Sequence, residues 1–336
     1  MIDKKDLDGV KDFLYYKDVK HDIYAYAKGE LELAKAESTR FGYYDDHFKW
    51  LRSEVTGFSG IPNMGKSAFV TFLSALKMYH DKWKVAIYSP ESNPPEFFYA
   101  NYLHSLSSKH IFLLKKKPSV EYLKQYEKIL ENQLFLCNPE KMPTFKGIME
   151  RFQKAYEYHG CDMFIIDPFN CLEREWEHSN RDDRYVGDFI DHYKDFAIRN
   201  NVVATVVMHP KGSVRLVKSG VDYEMPSAYD LAGGAMWYNK LDNLIFVHRP
   251  HMISDPEDVT VTIRHSKIKK KQVVGKGGDA TMEYYFTRGR YGYMGFEPEF
   301  TNVEGLDIPQ PVSANVDFDN KQKQANDIDL DDSMPF

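Results

Sequence analysis

An α/β fold with a mostly parallel sheet covered by helices on both faces is predicted by three observations. Four short runs, residues 85–88, 163–166, 202–207 and 244–247, are apolar with the single exception of Thr205. Strands buried on both faces read this way, without polar alternation. Between them lie segments whose apolar residues recur at helical spacing. Finally, a glycine-bounded turn at residues 60–67 joins a strand candidate to a helix candidate. Sheets of this kind bind ligands at the carboxyl ends of their strands.

The elements follow in chain order. Residues 21–37 read as an amphipathic helix, with Ile23, Ala27, Leu31 and Ala34 on one side. That stripe is thin and alanine-rich, so it suits packing on another surface better than a core of its own. Residues 54–58 read as a strand, and residues 68–78 have helical spacing. The strand at 85–88 leads into a helix at 94–107 with proline in its first turn. Phe145, Ile148, Met149, Phe152 and Tyr156 mark the next helix, before the strand at 163–166. Val186, Phe189, Ile190, Tyr193 and Phe196 mark another, before the strand at 202–207. Beyond about residue 301, Pro, Asn, Gln and Asp dominate, the composition of a disordered tail. The expected division is a linker at 1–40, a domain at 41–298 and an acidic tail at 299–336.

Composition narrows the class. The 336 residues are 43% hydrophobic, enough for one large or two medium domains with a real core. No run of 18 apolar residues exists, which argues against a membrane span. The polar N-terminus does not read as a secretory signal, and Cys137, Cys161 and Cys171 lack metal-ligand spacing. A reducing, cytoplasmic setting is expected. Net charge is −6, and residues 312–336, with six acidic and two basic groups, carry −4 of it. Against that balance, Arg264, Lys267, Lys269, Lys270, Lys271 and Lys276 form a basic stripe without an acidic residue. Such a stripe suits phosphate contacts or simply a solvated face.

Residues 60–67 read Gly-Ile-Pro-Asn-Met-Gly-Lys-Ser, the G-x-x-x-x-G-K-S phosphate loop. Gly60, Pro62, Asn63, Gly65, Lys66, Ser67 and Ala68 would wrap a nucleoside triphosphate. Lys66 reaches the β- and γ-phosphates, and the Ser67 hydroxyl ligates Mg²⁺. The helix that follows points its N-terminus at the phosphates. Asp167, ending the strand at 163–166, is the candidate metal aspartate. Glu91, just past the strand at 85–88, is the candidate that orients the attacking water, provided that strand neighbours the phosphate-loop strand. A cap at the next helix is its simpler role. His209 ends the strand at 202–207 and is a candidate γ-phosphate sensor. The loop from 210 to 226 carries Lys211, Arg215 and Lys218, suited to tracking a nucleic-acid backbone. Gly233 and Gly234 permit either close approach of a phosphate backbone or tight helix packing.

Taken together, these motifs resemble the hexameric replicative helicases of the RecA-like superfamily, nearest the Twinkle-like group and the helicase half of phage helicase–primases, with DnaB more distant. The resemblance covers roughly residues 40–295. Besides the phosphate loop it rests on Ser89-Pro90-Glu91, Ile165-Ile166-Asp167-Pro168, His209-Pro210-Lys211, and the run from Tyr229 through Gly233, Gly234 and Asn239 to Asn243. It implies a RecA-like P-loop NTPase core that hydrolyses ATP with Mg²⁺, encircles single-stranded DNA as a ring, usually a homo-hexamer, and unwinds duplex in the 5′ to 3′ direction. Lys211, Arg215, Lys218, Gly233, Gly234 and Asn239 would contact DNA. The family's finger, Lys-x-Arg-Phe, reaches the neighbouring subunit's γ-phosphate; the arginine position here is Lys269, a point charge without the planar fork. Arg249 would line the adenine pocket, with Tyr284 or Tyr285. The N-terminal helix would dock on a neighbouring subunit. The tail, Asp327 to Phe336, ends in acids and then Met-Pro-Phe, resembling the tip of bacterial single-stranded-DNA-binding proteins. It implies a replication partner, a polymerase, a primase or a protein that binds such tips, met by an apolar pocket with a basic rim. A DNA-dependent ATPase that remodels without unwinding, and a nucleotide-binding adaptor, remain open alternatives.

Overall fold

Residues of the parallel strands alternate between two separate apolar layers, which is why those sequences are mostly apolar. The computed structural model describes residues 15–30, 35–112, 117–174, 182–211, 220–298 and 300. Its centre is one 9-stranded sheet, in the order β3-β2-β4-β5-β1-β6-β7-β8-β9. The strands are β1 (Val55–Ser59), β2 (Val85–Tyr88), β3 (Leu134–Leu136), β4 (Met163–Ile166), β5 (Val203–Met208), β6 (Asn243–His248), β7 (Thr260–Ile268), β8 (Gly278–Tyr285) and β9 (Arg290–Gly292). From β3 to β6 all pairings are parallel, and from β6 to β9 all are antiparallel.

Six helices matter for the site and its cover: α1 (Tyr16–Ala27), α2 (Lys66–Asp81), α3 (Pro95–Ser107), α4 (Phe145–His159), α5 (Asp182–Asn200) and α6 (Ala235–Lys240). Val85 and Ile87 of β2 point into the layer that holds Phe69, Leu73 and Leu76 of α2 and Phe98, Tyr102 and Leu106 of α3. Ala86 and Tyr88 point the other way, into the layer with Phe152 of α4, Phe189 of α5 and Trp237 of α6. The doubly covered, mostly parallel sheet expected from the sequence is therefore present. Caps set the helix ends as propensity dictates. Thr144 accepts from the Gly147 N–H at the start of α4, and Gly160, at φ +65°, ends it.

Three readings change. Past the last strand read from the sequence, at 244–247, the sheet continues as an antiparallel extension, β7–β9, and not as further alternation of strand and helix. Its signal lay in β7, where buried Val261 and Ile263 alternate with more exposed Thr262 and Arg264. That period-two pattern belongs to a half-buried antiparallel strand. The basic stripe is largely paired: Arg264 meets Asp279 at 2.7 Å, and Lys267 donates to the Tyr238 and Asn239 carbonyls at 2.6 and 3.0 Å.

The N-terminal helix spans Tyr16–Ala27, not residues 21–37. Gly29, at φ +73°, turns the chain left-handed where L side chains resist it. Glu37, expected to be helical, instead pairs with Trp50 in an antiparallel bridge. Residues 37–40 belong to the domain. The ammonium of Lys77, 1% exposed, lies 3.5 Å from Glu37 and also pairs with Asp81, which Arg40 holds from the other side. Leu31 and Ala34, and the tail from Asp327 to Phe336, lie outside the described residues. Among the described residues no helix is long and apolar enough to cross a membrane.

Candidate active site

The phosphate loop sits between the end of β1 and the start of α2, where the backbone must bend tightly. A side chain at Gly60 would put its Cβ 2.3 Å from the Val247 carbonyl oxygen of β6, so only glycine fits. Gly65 is left-handed at φ +89°, and its carbonyl accepts from the Tyr291 hydroxyl at 2.9 Å. That hydrogen bond ties the loop to β9. Asn63 is left-handed too, at φ +64°, and with Pro62 forms the exposed tip. Ala68 follows Ser67 in the first turn of α2.

Lys66 is buried and donates to the Ile61 carbonyl at 3.0 Å. Burial pulls its ammonium down to about 8, against the opposing pull of Asp167 and Glu91. An ammonium so short of solvent is poised for an anion. Ser67 donates its hydroxyl to Asp167 Oδ1 at 3.1 Å. Burial raises the Asp167 carboxyl to about 6, and the nearby Glu91 adds to the rise. These are hard oxygen donors at the end of adjacent secondary elements, the set that Mg²⁺ uses when phosphate and water oxygens complete its shell. Among the described residues no group of three or more His, Cys, Asp or Glu side chains could hold a metal alone. The fit is thus to a cation that arrives with a phosphate.

One testable consequence is pH dependence. A carboxyl titrating at about 6 is protonated below that value and loses its hold on a cation. We expect Mg²⁺-dependent nucleotide affinity to fall as the pH drops through 6, and Asp167→Asn to abolish the step. Fluorescent-nucleotide titrations on either side of pH 6 check both outcomes.

The premise attached to Glu91 fails. β2 is not a neighbour of β1, because β4 and β5 stand between them. Glu91 nevertheless joins the cluster: its charge acts on Lys66, Asp167 and His209, and its Oε1 accepts from the Cys171 thiol at 3.8 Å. The loop beyond β2 provides the reach that strand adjacency does not. Cys171 itself escapes sequence reasoning, since a lone cysteine carries no spacing signal. His209 leaves β5, which does pair directly with β1. Its N–H donates to Asn170 Oδ1 at 3.2 Å, and burial followed by the Lys66 charge lowers its imidazole. A cavity of about 140 Å³ opens beside Ser67 and Asp167, with Ser89, Asn101, Tyr102 and Tyr284 in its walls.

Arg249 follows β6, and its N–H reaches Met64 Sδ of the loop at 3.2 Å. Its guanidinium is turned onto the Pro256 and Asp258 carbonyls, at 3.2 and 3.1 Å. Tyr284 packs on Tyr291 with ring centroids 4.6 Å apart, and the Tyr285 hydroxyl bonds Glu283. Tyr284 thus packs against the core and also faces the cavity, while Tyr285 lies in neither apolar layer and carries the Arg288 guanidinium over its ring.

The remaining candidates are scattered. Lys211 is exposed just past β5, its N–H donating to the Asp230 carbonyl at 2.7 Å. Arg215 and Lys218 lie outside the described residues. A Cβ on Gly233 would stand 2.7 Å from Val186 Cγ2 of α5, so tight helix packing explains this glycine. A Cβ on Gly234 meets only the Leu231 carbonyl oxygen, at 3.8 Å. Asn239 is exposed near the end of α6, close to where β6 begins, so it stands at the opposite end of the parallel strands from Lys211. Lys269 is at that far end too. It pairs with buried Asp242 at 3.1 Å, and Asp242 also holds Lys194 at 2.6 Å. The hydrogen bond to Asp242 raises the Lys269 ammonium. Within one chain, Lys269 cannot approach its own phosphate loop.

No family model matches the chain. The Twinkle homolog protein, chloroplastic/mitochondrial, of Arabidopsis thaliana is 28% identical over 292 residues, covering 82% of this chain and 39% of the relative. The chain thus spans well under half of that relative's length. Among solved structures, one described as an ATPase domain superposes with a TM-score of 0.67 at 15% identity, covering 83% of this chain and 99% of that one. A DnaB-like replicative helicase, solved in a study of its interactions with primase, gives 0.65 at 16% identity, covering 84% and 68%. The chain shares its fold with both of these structures.

Proposed function

We propose that this chain, with a DnaB-like ATPase fold and sequence similarity to a Twinkle homolog, is an ATP-driven replicative DNA helicase that translocates on single-stranded DNA. One observation carries the reading: Lys66, Ser67, Asp167, Glu91 and His209 converge past the carboxyl ends of four parallel strands, while Lys269 stands at the opposite end of the sheet. That layout is half of a composite site, completed by a neighbouring copy. ATP binds with its phosphates along residues 60–67. Bound Mg²⁺, held by Ser67 and Asp167, would neutralise charge on the β- and γ-phosphates. Glu91 orients a water and takes its proton as the water oxygen bonds to the γ-phosphorus. The bond to the bridging oxygen breaks, and ADP leaves with phosphate. Lys66 stabilises the charge that spreads over the γ-phosphoryl oxygens. His209 loses its contact when phosphate departs and passes the change to Lys211, two residues along. Unwinding runs 5′ to 3′, and the working form is a homo-hexamer in the cytoplasm, with the acidic tail meeting a replication partner.

Strand displacement on a forked substrate tests this directly. ATP-dependent release of the labelled strand is the expected result; ATP turnover stimulated by single-stranded DNA without release would leave a translocating or remodelling ATPase. A specific observation favours keeping that second reading: the finger position holds Lys269, which lacks arginine's bidentate fork and is held by Asp242. No turnover at all would point to an adaptor.

The N-terminal helix supports the ring. Tyr16, Ile23 and Tyr24 of α1 are 60%, 44% and 53% exposed, more apolar surface than a lone helix leaves to water without a use. Removing residues 1–35 keeps the Glu37–Trp50 bridge and should leave a folded monomer that no longer assembles. An intact ring by light scattering in that truncation would refute the docking role.

A further inference from the structure

Tyr229 is 74% exposed, on a surface where most tyrosine rings are at least half covered. It is not a loose residue. The three-residue turn Ala228–Asp230 that carries it is firmly braced. Ser227 donates both its N–H and its hydroxyl to Asp230 Oδ2, at 2.7 and 2.8 Å. The neighbours of the ring in sequence anchor the turn: Ala228 is 4% exposed, and Leu231 is fully buried and bridges Pro210. The Lys211 N–H donates to the Asp230 carbonyl at 2.7 Å, fixing an exposed lysine beside the same turn. The turn's own carboxylate, Asp230, is engaged as a cap by Ser227. A rigidly mounted, solvent-facing ring, on a turn to which the backbone of an exposed lysine is tied, suits a flat, anionic-backed ligand. The strand end it stands on is that of His209, so the ligand would lie next to the phosphate site.

We propose that Tyr229 is a base-stacking platform for single-stranded DNA, with Lys211 meeting the adjacent phosphate. This deepens the helicase reading and rests on it. Stacking on an aromatic ring is indifferent to base identity, because every base has a π-face, so it suits a motor that must grip any sequence. It also separates two kinds of contact that a moving protein needs: the lysine is released by salt, and the ring is not. Ring mounting on a turn tied to β5 lets the platform shift with the strand that ends at His209.

The test compares the full chain with Tyr229→Ala and Tyr229→Phe by fluorescence anisotropy, in the presence of a non-hydrolysable ATP analogue. The probes are a fluorescein-labelled oligothymidylate and the same backbone made abasic along its length. Tyr229→Ala should bind the oligothymidylate about tenfold more weakly, within the range that loss of one stacked base produces, and the abasic strand as the unmodified chain does. Tyr229→Phe should match the unmodified chain on both. The salt dependence of oligothymidylate binding should be unchanged in Tyr229→Ala and reduced in Lys211→Ala. Equal binding of oligothymidylate by Tyr229→Ala and the unmodified chain would overturn the proposal. So would loss of the assembled state in Tyr229→Ala by light scattering, which would assign the ring to a subunit contact. If the unmodified chain binds neither strand, the helicase reading itself fails, a result distinct from either of these.

Discussion

Replacing Lys66 with alanine should lower ATP turnover by at least ~100-fold, the usual loss when one preorganised charge stabiliser is removed. The physical reason is already present without nucleotide. Burial has pulled the Lys66 ammonium to about 8, and the partner it donates to is the neutral Ile61 carbonyl of the same loop. A triphosphate arriving there adds negative charge directly against the ammonium, beyond the pull of Asp167 and Glu91, so the ammonium regains its proton affinity as it binds. Alanine removes the charge and leaves the loop backbone intact, since the turn depends on Gly60 and Gly65 rather than on the lysine. Steady-state turnover with single-stranded DNA measures the loss, and an unchanged thermal unfolding profile excludes misfolding as its cause. Turnover within a few-fold of the unmodified chain would remove Lys66 from the reaction.

Glu91→Gln should separate binding from chemistry. Loss of a positioned general base costs roughly 10²–10⁴ in rate, while nucleotide affinity should hold or rise. Glu91 is exposed and touches the cluster through its charge and the Cys171 thiol, so the amide should leave the loop, Ser67 and Asp167 in place. It also removes a negative charge that helps raise Asp167, so Mg²⁺ affinity should not suffer. Single-turnover measurement of bound ATP gives the chemical step alone, and equilibrium titration gives the affinity. Normal turnover in Glu91→Gln would dismiss the assignment and leave the carboxylate as a cap for the segment that follows.

Most of the candidate nucleotide site is legible in the sequence because its residues are tied to local patterns. Residues 60–67 form a contiguous motif, and Asp167 and His209 each end an apolar run whose strand identity is readable from composition alone. Their chemistry depends on strand ends, and strand ends are local. Glu91 follows from the same reasoning, yet the strand order behind it does not: adjacency in a sheet is a long-range property, and no local signal says that β4 and β5 insert between β1 and β2.

Other features need the folded chain. Gly233 reads equally as a phosphate contact or a packing site until Val186 is seen 2.7 Å from where its Cβ would be. Lys269 reads as one lysine among several until Asp242 and the far end of the sheet are seen around it. Cys171 has no sequence signal, since it gains meaning from a carboxylate 80 positions away. Tyr229 reads only as the first residue of a motif run until its exposure is seen. By itself, then, the sequence determined the layered α/β class and the local pattern of a candidate phosphate loop, because periodicity and backbone geometry act over a few residues. Tertiary structure alone decided which side chains share one end of the sheet, which cations are already paired and which rings are left facing water, because those depend on contacts between segments far apart in the chain.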